Sequence, residues 1–299
     1  MVSNYKLQIT KLPIPMKNTA ILLINCPDQK GVVATVANFV YSHNGNILHA
    51  DEHADEDSNL FLMRVEFDPA EFNIPLEDFG KHFAATAERF QMTWRLAQSS
   101  HRPRMAILVS KYDHCLVDLL YRHRSGELHC EIPLIISNHP DNQSIAEFYG
   151  IPYRTVAVTK ENKRAAEQTI LDLLKEHNPD FLVLARYMQI LSDEFVSAYP
   201  HRIINIHHSF LPAFIGAKPY HQAFQRGVKL IGATSHYVTE VLDDGPFIEQ
   251  DVVRISHRDT LDDLLQKGRD LEKVVLSRAV RWHIENRVLL FGNKTVVFD

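Results

Sequence analysis

The stretch "HRIINIHHSFLP", residues 201–212, decides how the second half of the chain reads. Its apolar centre has the length and β-branched content of a short buried strand, and it runs straight into two adjacent histidines. Earlier runs of the same kind are MAILVS (105–110), IPLIIS (132–137), RTVAV (154–158) and FLVLA (181–185). They alternate with helical patterns such as ENKRAAEQTILDLLKEHNPD (161–180). Strands apolar throughout must be covered on both faces, so residues 105–299 are expected to form a Rossmann-like α/β layer with a mainly parallel sheet. Ligands gather beyond the carboxyl ends of such strands, where NIHHSFLP lies.

Side chains of an extended segment alternate, which puts Asn205 and His207 on one face and His208 on the other. Only one of the two histidines is then expected to share a site with Asn205. An amide beside an imidazole supplies a donor for a developing oxyanion and a proton carrier near neutral pH. The missing carboxylate is suggested by GATSHYVTEVLDDGP (232–246), where Gly245 and Pro246 impose a turn that presents Asp243 or Asp244 to the sheet end. Taken singly, a histidine after a strand reads as structural and a DDG triplet as a turn. His207, His208, His236 and Asp243 could also gather around zinc, although no compact ligand motif such as HExxH is present.

Upstream, TAILLINC (19–26), a helical run carrying Val33, Val36 and Val40 and stopped at Asn44-Gly45, NILHADEHA (46–54), NLFLMRVEF (59–67), a helix marked by Phe79, Phe83 and Phe90, and a short run ending near Ala97 follow in order. Strand, helix, strand, strand, helix, strand within residues 1–97 predicts a ferredoxin-like domain. QSSHRPR (98–104) is the expected linker. Downstream, residues 260–287 read as one long surface helix whose charges form a solvated face, and FGNKTVVF (291–298) as a terminal turn and strand.

Composition narrows the partners. A length of 299 residues allows about two domains, and a formal charge of −5 gives no basic footprint for nucleic acid. Three cysteines without metal-type spacing, Cys26, Cys115 and Cys130, read as small buried or half-buried thiols rather than disulfides. No apolar run approaches a membrane span and the start lacks a secretion signal, so a cytoplasmic protein is expected.

Two resemblances sharpen these readings. CPDQKGVVATVANFVYSHNGNI (26–47) resembles the opening of an ACT domain, which implies a regulatory or oligomerising role and a candidate loop, Asp28 to Gly31, for the carboxylate of a small amino acid effector. Asn-x-His, Ser-x-Leu-Pro, His-Tyr-Val and Asp-x-Gly, at residues 205–245, resemble the formyltransferase catalytic domain. The block HHSFLPAFIGAKPYHQAFQRGVKLIGATSHYV (207–238) with IEQDVVRISHRDT (248–260) is similar to the 10-formyltetrahydrofolate deformylase branch, whose members also place an ACT domain in front.

That likeness implies Asn205, His207 and Asp243 as the catalytic asparagine, histidine and aspartate, and 10-formyltetrahydrofolate as substrate, with no tightly bound cofactor and no metal. LARYMQILSDEFV (184–196) resembles the segment that clasps the pterin, which implies substrate contacts from Leu184, Met188, Gln189, Ile190, Leu191 and Val196. The loop from Thr239 and Glu240 to Asp243 would close the other side. Relatives that transfer formyl to a ribonucleotide amine cradle its phosphate on a small, glycine-containing loop after the first strand of this domain. Here VSKYDHCLVDLL (109–120) substitutes Lys111, Tyr112, Asp113 and His114, which favours water over a phosphorylated amine as acceptor. Lys218, Pro219 and Tyr220 are further expected to fill the acceptor space. Asp243 would orient a water and take its proton if its pKa were raised, or only position it if ionised. A homo-oligomer, taken as a tetramer, is implied by the ACT resemblance.

Overall fold

The computed structural model describes residues 18–213 and 219–299. The chain divides into two compact units, one ending at His101 and the other beginning at Arg102.

In the first unit β1 (Ala20–Pro27), α1 (Val32–Ser42), β2 (Asn46–Asp55), β3 (Leu60–Asp68), α2 (Phe79–Arg89) and β4 (Thr93–Gln98) follow in the expected order. They build an antiparallel sheet, β2-β3-β1-β4, the ferredoxin-like arrangement. Ala20, Leu22, Ile24 and Cys26 alternate along β1 and pack with Val32, Val36, Val40, Phe79 and Phe83 in one core. The buried stripe of α1 therefore starts at Val32, not Val33, which is 41% exposed. Val32, Val36 and Val40 lie at i, i+4 and i+8 and share the inward face, and Gly31, left-handed at φ 95°, makes the tight turn into the helix. Phe90 is buried but caps α2 rather than lying within it. Gln98, read as linker, is the last residue of β4.

The second unit contains β5 (Met105–Val109), α3 (His114–Ser125), β6 (Ile135–Ser137), α4 (Gln143–Tyr149), β7 (Tyr153–Thr155), α5 (Lys163–His177), β8 (Phe181–Ala185), α6 (Asp193–Ala198), β9 (Ile203–His207), α7 (Pro219–Arg226), β10 (Leu230–Tyr237), β11 (Phe247–Arg254), α8 (Leu261–Ile284), β12 (Val288–Phe291) and β13 (Lys294–Val297). The main sheet has the order β11-β10-β9-β8-β5-β6-β7. Strands β5 to β9 are parallel, and β10 runs antiparallel to both neighbours. β5 shows why its run is apolar at every position. Met105, Ile107 and Val109 enter a core with α3 and α8, whereas Ala106 and Leu108 enter a second core with α5 and α6. Each face is covered, so alternation with polar residues would bury them.

The chain moves outward from β5 through β6 to β7 and then returns to place β8 beside β5. The loops leaving β5 and β8 diverge there, opening a crevice at their carboxyl ends. Two readings of the C-terminal part change. Residues 288–297 form a hairpin whose first strand, β12, had not been anticipated. Helix α8 starts at a capping box, Thr260 with Asp263, but its charges do not all face solvent: Glu272 is 1% exposed. All three cysteines are free and buried. No helix among the described residues is long and apolar enough to cross a membrane.

Candidate active site

Register brings the first polar residues together. β9 and β10 pair so that Asn205 lies opposite His236 and His207 opposite Thr234. Directly opposed residues of antiparallel strands share a face, and Asn205 Nδ2 comes 3.2 Å from His236 Nε2. His236 Nδ1 lies 2.9 Å from the Tyr237 carbonyl oxygen, which can only accept, so Nδ1 carries the proton and Nε2 accepts. Asn205 accordingly turns its NH2 toward the ring and keeps one N–H free to donate elsewhere. Burial pushes the His236 imidazole below its ordinary pKa and keeps it neutral in this role.

Asp243 arrives from the connection between β10 and β11. Its backbone is left-handed (φ 58°), and Tyr237 N donates to Pro246 O across the base of the turn at 2.9 Å. A Cβ at Gly245 would collide with the Tyr237 carbonyl, so only glycine lets the turn close this tightly. The turn delivers Asp243 Oδ1 to 3.2 Å from His207 Nδ1 and 3.9 Å from His236 Nε2. Burial alone would raise the Asp243 carboxyl. The His207 imidazole, hydrogen-bonding to it, outweighs that and holds it below the ordinary carboxylate range. Of the two expected states of Asp243, the ionised one fits. His207 Nε2 is buried without a protein partner.

These side chains line a cavity of about 530 Å³ together with Leu184, Met188, Gln189, Ile190 and Leu191, and with the loop from Thr239 to Asp243. Met188, Ile190, Val241 and Leu242 are more than half exposed into it, an apolar lip able to take a flat ring. Met188 N donates to Ser110 Oγ at 2.9 Å and Ser192 N to Glu167 Oε1 at 3.1 Å, which pin the 186–192 loop from behind. Val196 is buried in α6 and does not reach the cavity; α6 turns it toward the body of the unit. Lys218 lies outside the described residues. His208, expected on the opposite face, lines the same cavity, because β9 ends at His207 and strand alternation ends with it. Burial and the nearby Arg186 charge lower the His208 pKa to about 3.

Sequence reasoning missed the polar floor of this cavity. Glu272, from α8, accepts from Tyr220 at 2.8 Å, faces His114 Nε2 at 2.8 Å and has Arg186 Nε at 3.4 Å. The imidazole and guanidinium overcome burial and keep its carboxyl ionised, with a lowered pKa. A signal existed: Gly268, Glu272, Val275, Leu276 and Ala279 fall on one helical face, an acid within an otherwise apolar or small stripe. Gly268 is required because a Cβ there would collide with the Tyr220 ring. His114, Cys115 and Glu272 bring one ligand-type atom each within 4.8 Å of one another. Their chemistry does not fit a cation, since Glu272 is already engaged by three partners and burial drives the Cys115 thiol well upward, keeping it protonated.

Comparison with known proteins shows relatives in both sequence and fold. A sequence model of the Formyl transferase family matches residues 103–280, and one of the ACT domain matches residues 20–79. The formyltetrahydrofolate deformylase of Synechocystis sp. is 58% identical over 280 residues, covering 94% of this chain and 98% of that protein. The Bacillus subtilis protein of the same name is 48% identical, with 93% of each chain covered. The crystal structure of a formyltetrahydrofolate deformylase from Pseudomonas syringae superposes with a TM-score of 0.93 at 51% identity, covering 96% of this chain and 97% of that one. On this similarity in sequence and in fold, the chain belongs to the formyltetrahydrofolate deformylase family.

Proposed function

We infer that the protein hydrolyses 10-formyltetrahydrofolate to formate and tetrahydrofolate, with Asn205, His207 and Asp243 performing the chemistry. The observation that carries this reading is the convergence of an amide, an imidazole and an ionised carboxylate on one cavity with an apolar lip. The pterin packs against Met188, Ile190 and Leu191, under the loop that runs through Thr239 and Glu240. The formyl oxygen accepts from the free N–H of Asn205.

Asp243 is too acidic to be a strong base, so it positions the attacking water and the His207 imidazole. Water oxygen bonds to the formyl carbon, the carbonyl electrons move to oxygen, and the water proton passes to His207 Nε2, leaving an imidazolium steadied by Asp243. Collapse of the tetrahedral species breaks the C–N10 bond, and His207 returns the proton to N10. Formic acid loses its own proton to solvent. No step draws on a cofactor.

Transfer to a phosphorylated amine is the competing reaction. Tyr112 lies in the loop after β5 and His114 opens α3, and Tyr220 and Glu272 line the cavity beside them. Such bulk favours water over a second, larger substrate. The deciding experiment incubates the purified protein with 10-formyltetrahydrofolate, with and without glycinamide ribonucleotide, and measures formate and formylated nucleotide separately. Formate formed at the same rate in both supports hydrolysis; formylated nucleotide in place of formate refutes it.

In metabolism such a reaction balances the one-carbon pool and supplies formate for purine synthesis. For the first unit we propose regulation by a small amino acid whose carboxylate meets the backbone at Asp28 to Gly31, and assembly of the chain into a homo-oligomer, with the tetramer as the state to test. Light scattering on the purified protein, alone and with each amino acid at millimolar concentration, checks both. A cytoplasmic location is part of the same reading.

A further inference from the structure

Arg186 is a buried cation with donors to spare. It follows β8 in a left-handed backbone conformation (φ 62°) that few side chains other than glycine and asparagine adopt, and it lines the cavity. Its side chain is 9% exposed, yet Nε and Nη1 have no hydrogen-bond acceptor. Glu272, 3.4 Å from Nε, is the nearest carboxylate, and its oxygens are already taken up by His114 and Tyr220. The guanidinium carbon sits 5.3 Å from the centre of the Tyr112 ring, and that of the exposed Arg269, also in the cavity wall, 5.9 Å from the same ring. Glu272 already holds His114 and Tyr220, so Arg186 keeps buried N–H donors without an acceptor in the cavity wall, and Arg269 stands on the same Tyr112 ring.

A buried N–H without an acceptor is costly, and its persistence beside an open cavity points to a ligand that completes it. A guanidinium presents parallel donors that match the two oxygens of a planar carboxylate. Formate is the planar carboxylate that hydrolysis in this cavity releases. We propose that Arg186 forms a subsite for formate, holding the product carboxylate away from Asn205 and His207 after C–N10 cleavage, with Arg269 at its mouth drawing the anion out toward solvent. This inference rests on the hydrolytic reading of the same cavity.

The test uses the full-length protein without folate and 13C-labelled sodium formate as probe, followed by NMR titration, with inorganic phosphate as a parallel arm. Wild type should bind formate saturably and ahead of phosphate. Arg186→Lys, which keeps the charge beside Glu272 and loses the fork, and Arg186→Gln, which loses both, should each weaken binding about tenfold or more. Formate inhibition of 10-formyltetrahydrofolate hydrolysis should weaken in parallel. Circular dichroism and thermal melting establish that each variant is folded, and if the glutamine variant is not, the lysine variant carries the comparison. No saturable formate binding by wild type, equal binding by wild type and Arg186→Lys, or binding of phosphate alone overturns the subsite. A protein that binds formate through Arg186 but produces none from the folate keeps the subsite and loses the proposed reaction. One that produces formate without binding it does the reverse.

Discussion

His207 Nδ1 and Asp243 Oδ1 stand 3.2 Å apart although they reach the cavity from different elements, His207 from the end of β9 and Asp243 from the turn after β10. The pairing leaves the buried Nε2 of His207 without a protein partner, so that nitrogen is the one able to exchange a proton with substrate.

Removal of the carboxylate should therefore impair chemistry more than binding. Asp243→Asn keeps the shape and loses the charge that supports an imidazolium. Its kcat should fall by at least about a hundredfold with KM changed little, and Asn205→Ala should lose about 10²–10³ in kcat. Steady-state kinetics with melting curves for both variants check this. A folded Asn205→Ala with near-normal kcat would remove the amide from the mechanism.

Acid should destabilise the fold through buried neutral histidines. The His208 pKa falls from 6.5 to about 3, and that of His236 is also lowered. Between those pH values the unfolded chain binds protons that the folded chain refuses, so stability rises with pH and is lost on acidification from 6.5 downward, by up to about 1.4 kcal/mol per pH unit for each such histidine. The lowered Asp243 pKa acts with the same sign at lower pH: its contribution is present above the ordinary value of 3.8 and is lost below it. Urea unfolding between pH 7 and 5 should show a smaller slope for His208→Gln than for wild type, and identical slopes would contradict the assignment.

Glu272 is the counter-ion of the cavity floor. Removing it in Glu272→Ala strands Arg186 beside His114 and should cost about 3–5 kcal/mol, whereas Tyr220→Phe removes one charged hydrogen bond and should cost about 1.5–3 kcal/mol. Denaturant titration of the two single variants and the double variant should reveal non-additivity, since Tyr220 and Glu272 share one hydrogen bond.

Gly245→Ala should displace the Asp243 turn, because the added methyl meets the Tyr237 carbonyl. A loss of about 1–3 kcal/mol in stability is expected, together with a kcat lowered as in Asp243→Asn. Comparing the two variants side by side separates turn geometry from charge.

Much of this was legible in the chain itself. Continuous apolar runs determined a sheet covered on both faces, and the βαββαβ order of the first unit follows from where apolar periods start and stop. Asn205 and His207 could be paired from strand alternation, and Gly245 announced a turn that would carry Asp243. Local rules reach that far because they depend on neighbours within a few residues.

Other features depend on contacts between residues far apart in sequence. Alternation predicted His208 on the wrong side, since it holds only until β9 ends at His207. The register of β10 on β9, which sets His236 against Asn205 and fixes its tautomer, is not written in either strand alone. Glu272 was read with the solvated face of its helix until α8 was laid across the loops after β5 and β8, 158 residues separating His114 from its carboxylate partner. Sequence determined which chemical groups were available and where the sheet would end. Only the folded chain decided which of them lost water, because burial and proximity belong to the packing of whole elements.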